Sequence, residues 1–152
     1  MGEKDIGIGH PENSEIEPTF QVLKKFANEL GFHETIELQE IERQAIESSK
    51  SDDSHTRERF PVLIAEIQRI GEEIVNQRDN ATFGLAQVGL MVIRAATLFE
   101  SNHFEECRDE VYDILTALDN IVAYQPSVGP IISRIEEIRK ALDKNMESKN
   151  EI

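Results

Sequence analysis

The sequence predicts an all-α protein, an antiparallel bundle of about four core helices with an N-terminal helical hairpin packed on it. Three observations predict this class. Apolar residues recur at alternating spacings of three and four, most plainly in Phe104, Cys107, Val111, Ile114, Leu118 and Ile121. The stretch Ala81–Phe99 is apolar almost all round, with Arg94 its only charge, which is the composition of a helix surrounded by others. No run of alternating β-branched residues bounded by turns occurs, so no strand is expected.

Taken in order, residues 1–17 hold three glycines, one proline and scattered acids without a period, and are expected to form a mobile acidic tail. Pro18 suits the first position of a helix reaching Leu30, with Phe20, Leu23, Phe26 and Ala27 inward. Gly31 follows where a left-handed residue ends a helix. A second helix from about Glu34 to Ser49 carries a thin stripe of Leu38, Ile41 and Ala45, completing a hairpin over 18–50. Residues 51–59 lie within a segment without an aliphatic residue (SSKSDDSHTRER) and are assigned as a linker.

The bundle proper is expected over 60–148. Its first helix runs from near Pro61 to near Arg78 with Leu63, Ile67, Ile70 and Ile74 on one face. Gly71 inside it costs about 1 kcal/mol relative to alanine, which points to a close helix approach. Asn80 is placed as the cap of the apolar helix, and Asn102 as the cap of the next, with Glu105 completing a capping box. Pro126 closes that helix. Gly129-Pro130 opens the last, whose stripe is Ile131, Ile135, Ile138 and Leu142, with a frayed tail at 149–152. Residues 57–148 hold four complete stripes and are expected to fold alone.

Composition narrows function by exclusion. The 152-residue chain has 30 acids against 16 bases, a formal charge of −14 that repels phosphate backbones, so direct nucleic-acid binding is not expected. Residues 1–54 carry thirteen acids and five bases, the most acidic third. The single cysteine excludes an internal disulfide. No secretory signal follows Met1, and a reducing, cytoplasmic setting is expected. The apolar run Leu85–Ala96 is too short to span a bilayer, so no membrane partner is expected.

Ala95, Leu98, Phe104 and Cys107 resemble the turn of a tetratricopeptide unit. Arg94, Ile114 and Asp119 depart from that pattern, and no copy recurs at a 34-residue spacing, which leaves a helical hairpin. Glu37-x-x-Glu40 and Glu106-x-x-Asp109 resemble the magnesium-binding pairs of all-helical nucleotide pyrophosphohydrolases, although 65 residues separate them. No Glu-x-x-His pair, phosphate loop or nucleophile elbow occurs. No metal or cofactor is therefore expected, and the chain reads as a non-enzyme.

Three residues are candidates for contact with a protein partner or a second copy. Arg94 belongs to a polar strip with Gln87 and Ser101, seven residues apart, and is read as a snorkelling side chain at the solvent edge. Tyr112 and Arg108 lie opposite the core stripe of their helix, and an aromatic with an arginine is the composition of an interface anchor. The expected function is a non-catalytic helical protein–protein interaction module: an adaptor, regulator or small chaperone. The alternatives are an acidic decoy of a nucleic-acid-binding surface and the metal-dependent pyrophosphohydrolase.

Overall fold

A computed structural model describes residues 11–30, 32, 36–123 and 125–150, without the side chains of 11–15, 80, 81 and 146–150. The described residues are helical throughout their regular structure and contain no strand. The helices are α1 (Pro11–Glu29), α2 (Ile36–Ser49), the single turn α3 (Ser54–Arg57), α4 (Phe60–Asn76), α5 (Asn80–Glu100), α6 (Phe104–Ile121) and α7 (Gly129–Asn150).

As its composition requires, α5 is central. It packs on α1, α2, α4 and α6, and its residues from Val92 to Phe99 are buried except Arg94. Thr82–Glu100 is long and apolar enough to cross a membrane by length and composition, so the run Leu85–Ala96 understates it; 61% of that stretch is buried by the other helices. Helices α1, α5, α6 and α7 close a ring of neighbours, while α2 and α4 pack on each other and on α5.

That arrangement opens the expected hairpin. Helices α1 and α2 both touch α5, and Lys24 of α1 meets Glu42 of α2 at 3.3 Å, but α1 lies mainly on α5 and α7 and α2 mainly on α4. The reason is the α1 stripe, in which Ile16, Phe20, Leu23 and Ala27 are all fully buried, with the Phe20 ring 5.5 Å from that of Phe99. A face that complete needs two helices to cover it. The helix also begins at Pro11 rather than Pro18, which sits inside it on the exposed side. A helix tolerates proline best on such a side, where solvent can serve the carbonyl left without its N–H partner. Residues 11–17, expected in the tail, are therefore helical, and residues 1–10, Gly31 and 151–152 lie outside the described residues.

The linker is ordered. Asp53 caps α3 by accepting from the Thr56 N–H at 3.1 Å and its hydroxyl at 2.7 Å. The Ser48 hydroxyl donates to the Thr56 carbonyl, and Arg57 donates to the Ser51 carbonyl at 2.8 Å. Hydrogen bonds thus do locally what the missing aliphatic side chains cannot.

Two caps shift by a residue. Asp79, not Asn80, caps α5, accepting from the Thr82 N–H at 3.0 Å. Asn102 does not cap α6, which starts at Phe104 after His103 with no side-chain cap bond. Asn102 instead ends α5 in the left-handed region, at φ 64°. Its N–H bonds to the Phe99 carbonyl at 3.0 Å and that of His103 to the Leu98 carbonyl at 2.9 Å, the two bonds of a Schellman turn. Three residues thereby join α5 to α6, and the buried Cys107 thiol donates to the Ala95 carbonyl across the pair at 3.3 Å. Burial and the nearby Glu110 push that thiol's pKa up, so it stays protonated.

Gly71 meets its expected close approach: a Cβ there would lie 2.1 Å from Leu90 Cδ1 and 3.0 Å from Leu90 Cγ. Gly71→Ala is expected to lower the melting temperature, because overpacking of about 1–3 kcal/mol exceeds the helix-propensity gain of about 1 kcal/mol. In a Leu90→Ala background the same change is expected to stabilise. Equal effects in both backgrounds would overturn this account of the α4–α5 contact.

Candidate functional site

Three helical strips face one another across an open groove. Gln68, Glu72, Val75 and Asn76 come from α4. Gly84, Gln87, Leu90, Met91 and Arg94 form the floor from α5, and Glu110, Asp113, Ala117, Asn120 and Ile121 the wall from α6. Within each strip the spacing is three or four apart from one adjacent pair (75/76, 90/91 and 120/121), so each is one face of its helix. The groove encloses about 520 Å³, and its floor from Gly84 to Arg94 is about 15 Å long at 1.5 Å per residue.

One end is fixed by Arg94. Its Nη1 donates to Gln68 Oε1 at 3.1 Å, and its Nη2 lies 3.4 Å from Glu110 Oε1. The Glu110 side chain is only 9% exposed against 29% for Arg94, so the carboxylate is the more deeply held partner. Arg94 Nε is buried and finds no acceptor among the described residues. At the far end an added Cβ on Gly84 would stand 3.4 Å from Ile121 Cγ2, so α5 and α6 approach closely there. The acids Glu72 and Asp113 lie between the two ends.

The reading of Arg94 as a snorkelling side chain is thus corrected: it is half-buried and paired, bridging α4, α5 and α6. Gln87 does face the groove, whereas Ser101, third in the proposed strip, is buried with its hydroxyl unpartnered among the described residues. Sequence reasoning missed Glu110 and Gln68. A signal for Glu110 existed. Arg94 and Glu110 stand eight residues before and eight after Asn102, so an antiparallel hairpin centred there sets them side by side.

Arg108 and Tyr112 fall elsewhere, on the seam between α6 and α7. The Tyr112 hydroxyl donates to Asp143 Oδ2 at 2.8 Å, and Arg139 Nη1 meets the same oxygen at 3.2 Å. Arg108 Nη1 is 4.0 Å from Asp143 Oδ1, and the Arg139 guanidinium lies 5.9 Å from the Tyr112 ring centre. These polar groups are spent within the fold, although Tyr112 keeps 43% of its surface exposed. The structure therefore joins Arg108 to Tyr112 through Asp143 and leaves Arg94 apart from both.

The acidic pairs are engaged locally. Arg43 holds Glu40, Arg69 Nη2 is 4.0 Å from Glu37, and His103 Nδ1 is 2.8 Å from Glu106 Oε1. Among the described residues no three of His, Cys, Asp or Glu converge where a metal ion would sit. The polar groups that the groove lining offers are carboxylates, amides and one guanidinium.

Two buried carboxylates give the fold a pH signature. Burial pushes Glu110 above the usual carboxylate range, Arg94 pulls it down and Asp113 pushes it further up. Burial likewise raises Glu42, against the Lys24 ammonium at 3.3 Å and with Glu100 adding to the rise. A raised folded pKa means that the native state takes up protons before the unfolded chain does. Its stability contribution is present below the unfolded value and lost as pH rises through the folded one. Between about pH 7 and about pH 5, the wild type is expected to gain stability on acidification relative to the Glu42→Gln/Glu110→Gln variant. Urea midpoints across that range check it, and parallel profiles would refute it.

No family model matches the chain, and neither a curated protein nor a solved structure matches it.

Proposed function

We propose that this chain is a non-catalytic helical interaction module (an adaptor, regulator or small chaperone) that engages a protein partner through the α4–α5–α6 groove. The observation that carries the reading is a groove about 15 Å long, left open between two helices that both pack on α5. Its floor is shallow and partly apolar, and its walls are polar, which suits a segment of another protein rather than a sequestered small substrate. Self-association through this surface is disfavoured because each copy brings a charge of −14. The reading places the protein in a reducing, cytoplasmic compartment, consistent with a lone thiol kept protonated in the core. Tyr112 and Arg108 become a second, weaker contact area, since Asp143 already occupies their polar groups.

The test compares proteins co-purifying with tagged wild type and with Gln87→Trp from the native cell. Gln87 is exposed on the groove floor, so the tryptophan fills the groove without touching the core. The expected result is selective loss of a partner at an unchanged melting temperature. Full retention by Gln87→Trp together with loss by Tyr112→Ala would move the interface to the α6–α7 seam and overturn the groove reading.

A further inference from the structure

The groove is uneven along its length, and the unevenness specifies a partner. The pairing of Arg94 with Gln68 and Glu110 marks one end, and the Gly84–Ile121 approach marks the other. Moving from the Arg94 end, the walls first present Glu72 on α4 and Asp113 on α6, then Val75, Asn76, Ala117, Asn120 and Ile121. One half is acidic on both walls and the other is uncharged. Glu110 is already matched by Arg94, which leaves Glu72 and Asp113 as two carboxylates facing the opening without a basic side chain in the lining to balance them.

We infer that the groove takes a segment of a partner protein that is basic at one end and uncharged at the other. Its lysine or arginine side chains lie between Glu72 and Asp113, and its uncharged side chains rest against Asn76, Ala117 and Asn120. The charge asymmetry of the groove then fixes the direction in which the segment lies, because a cation placed at the other end of its register would meet Arg94 or the uncharged walls. Charge complementarity favours this occupant over the two other classes of macromolecular surface. A nucleic acid is repelled by the same carboxylates, and a second copy of this chain brings −14 more charge. The field of the whole molecule steers a basic segment inward, so association is expected to be fast and to weaken with salt. This inference rests on the interaction-module reading and adds the chemistry of the partner to it.

The experiment uses the full chain, labelled with nitrogen-15, and a capped alanine-rich decapeptide. The peptide has two lysines one helical turn apart near one end and two leucines at the other. Amide shifts on titration are expected to concentrate at Glu72, Val75, Met91, Asp113 and Ala117. The Glu72→Gln/Asp113→Asn variant is expected to weaken binding at least threefold, on the order of what two partly exposed ion pairs contribute. A charge-matched control, Glu105→Gln/Asp109→Asn on the exposed side of α6, is expected to bind as wild type does. Equal weakening by both variants, or shifts spread over the acidic surface, would show attraction to net charge alone and would overturn the inference. Equal groove binding by a peptide with glutamates in place of the lysines would overturn it too, while leaving the groove as an interaction surface. If the lysine peptide leaves the groove amides unmoved while Gln87→Trp still loses its cellular partner, the basic segment is refuted and the interaction module stands. Retention of that partner by Gln87→Trp is the separate result that removes the groove reading.

Discussion

A chain lacking residues 1–30 is expected to show no cooperative thermal transition and to bind hydrophobic dyes. The expectation follows from the position of α1, whose buried apolar stripe packs on both α5 and α7. Ile16, Phe20 and Leu23 are each 2% exposed or less. Burying three such side chains contributes about 5–9 kcal/mol at about 1.5–3 kcal/mol each. A domain of this size has only about 5–15 kcal/mol in total, so the loss removes most of it. The measurement is near-ultraviolet circular dichroism during a melt, for the full chain, for 31–152 and for 31–152 with the 11–30 peptide added in trans. Recovery of the transition by the peptide would locate the loss in α1 itself. A cooperative melt of 31–152 within a few degrees of the full chain would mean that the remaining helices hold their own core, as the 57–148 reading of the sequence expects.

The second large effect is Leu118→Ala, expected to cost about 2–5 kcal/mol. Leu118 is fully buried on α6, which packs on both α5 and α7, so the cavity it leaves is walled by two helices and cannot readily collapse. Glu136→Ala is the matched control on α7. Its carboxylate meets Arg139 at 3.3 Å, in a partly exposed pair worth about 0.3–0.5 kcal/mol. Urea unfolding of the two variants checks the assignment of faces, and equal midpoints would reverse it.

What the sequence made legible is the set of faces. Leu63, Ile67 and Ile70 on α4 are buried as their spacing predicts, as are Ile135, Ile138 and Leu142 on α7. Gly71 announced a close helix approach through its cost alone, and Leu90 makes it. What stayed hidden was which faces meet, because a stripe says that a helix buries one side and not against what. Helix α1 carries as complete a stripe as any later helix. Pro18 nevertheless disguised its first turns as a tail, since proline both starts helices and, on a solvent-facing side, rides inside them. At Ser101-Asn102-His103 the sequence offers several residues able to cap, and only the backbone decides: φ 64° at Asn102 makes it the end of α5 instead of the start of α6. Site residues followed the same division. Tyr112 was legible as exposed, but Asp143 as its partner depends on how α7 lies against α6. Arg94 was conspicuous as the lone charge of α5, and its partner became visible only when the turn was taken as the axis of the hairpin.

Cys107 turns the α5–α6 seam into a clock. Its thiol is the only one in the chain, fully enclosed, protonated and tied to the Ala95 carbonyl. A thiol-reactive dye cannot reach it while the two helices are together, so each labelling event records one separation of the pair. With dye in excess, the labelling rate reports how often the hairpin parts in the native molecule. A ligand seated across α5 and α6 slows that rate in proportion to its occupancy. The protein therefore carries, in one buried sulfur, a readout of groove occupation that needs no added probe site and no knowledge of the partner.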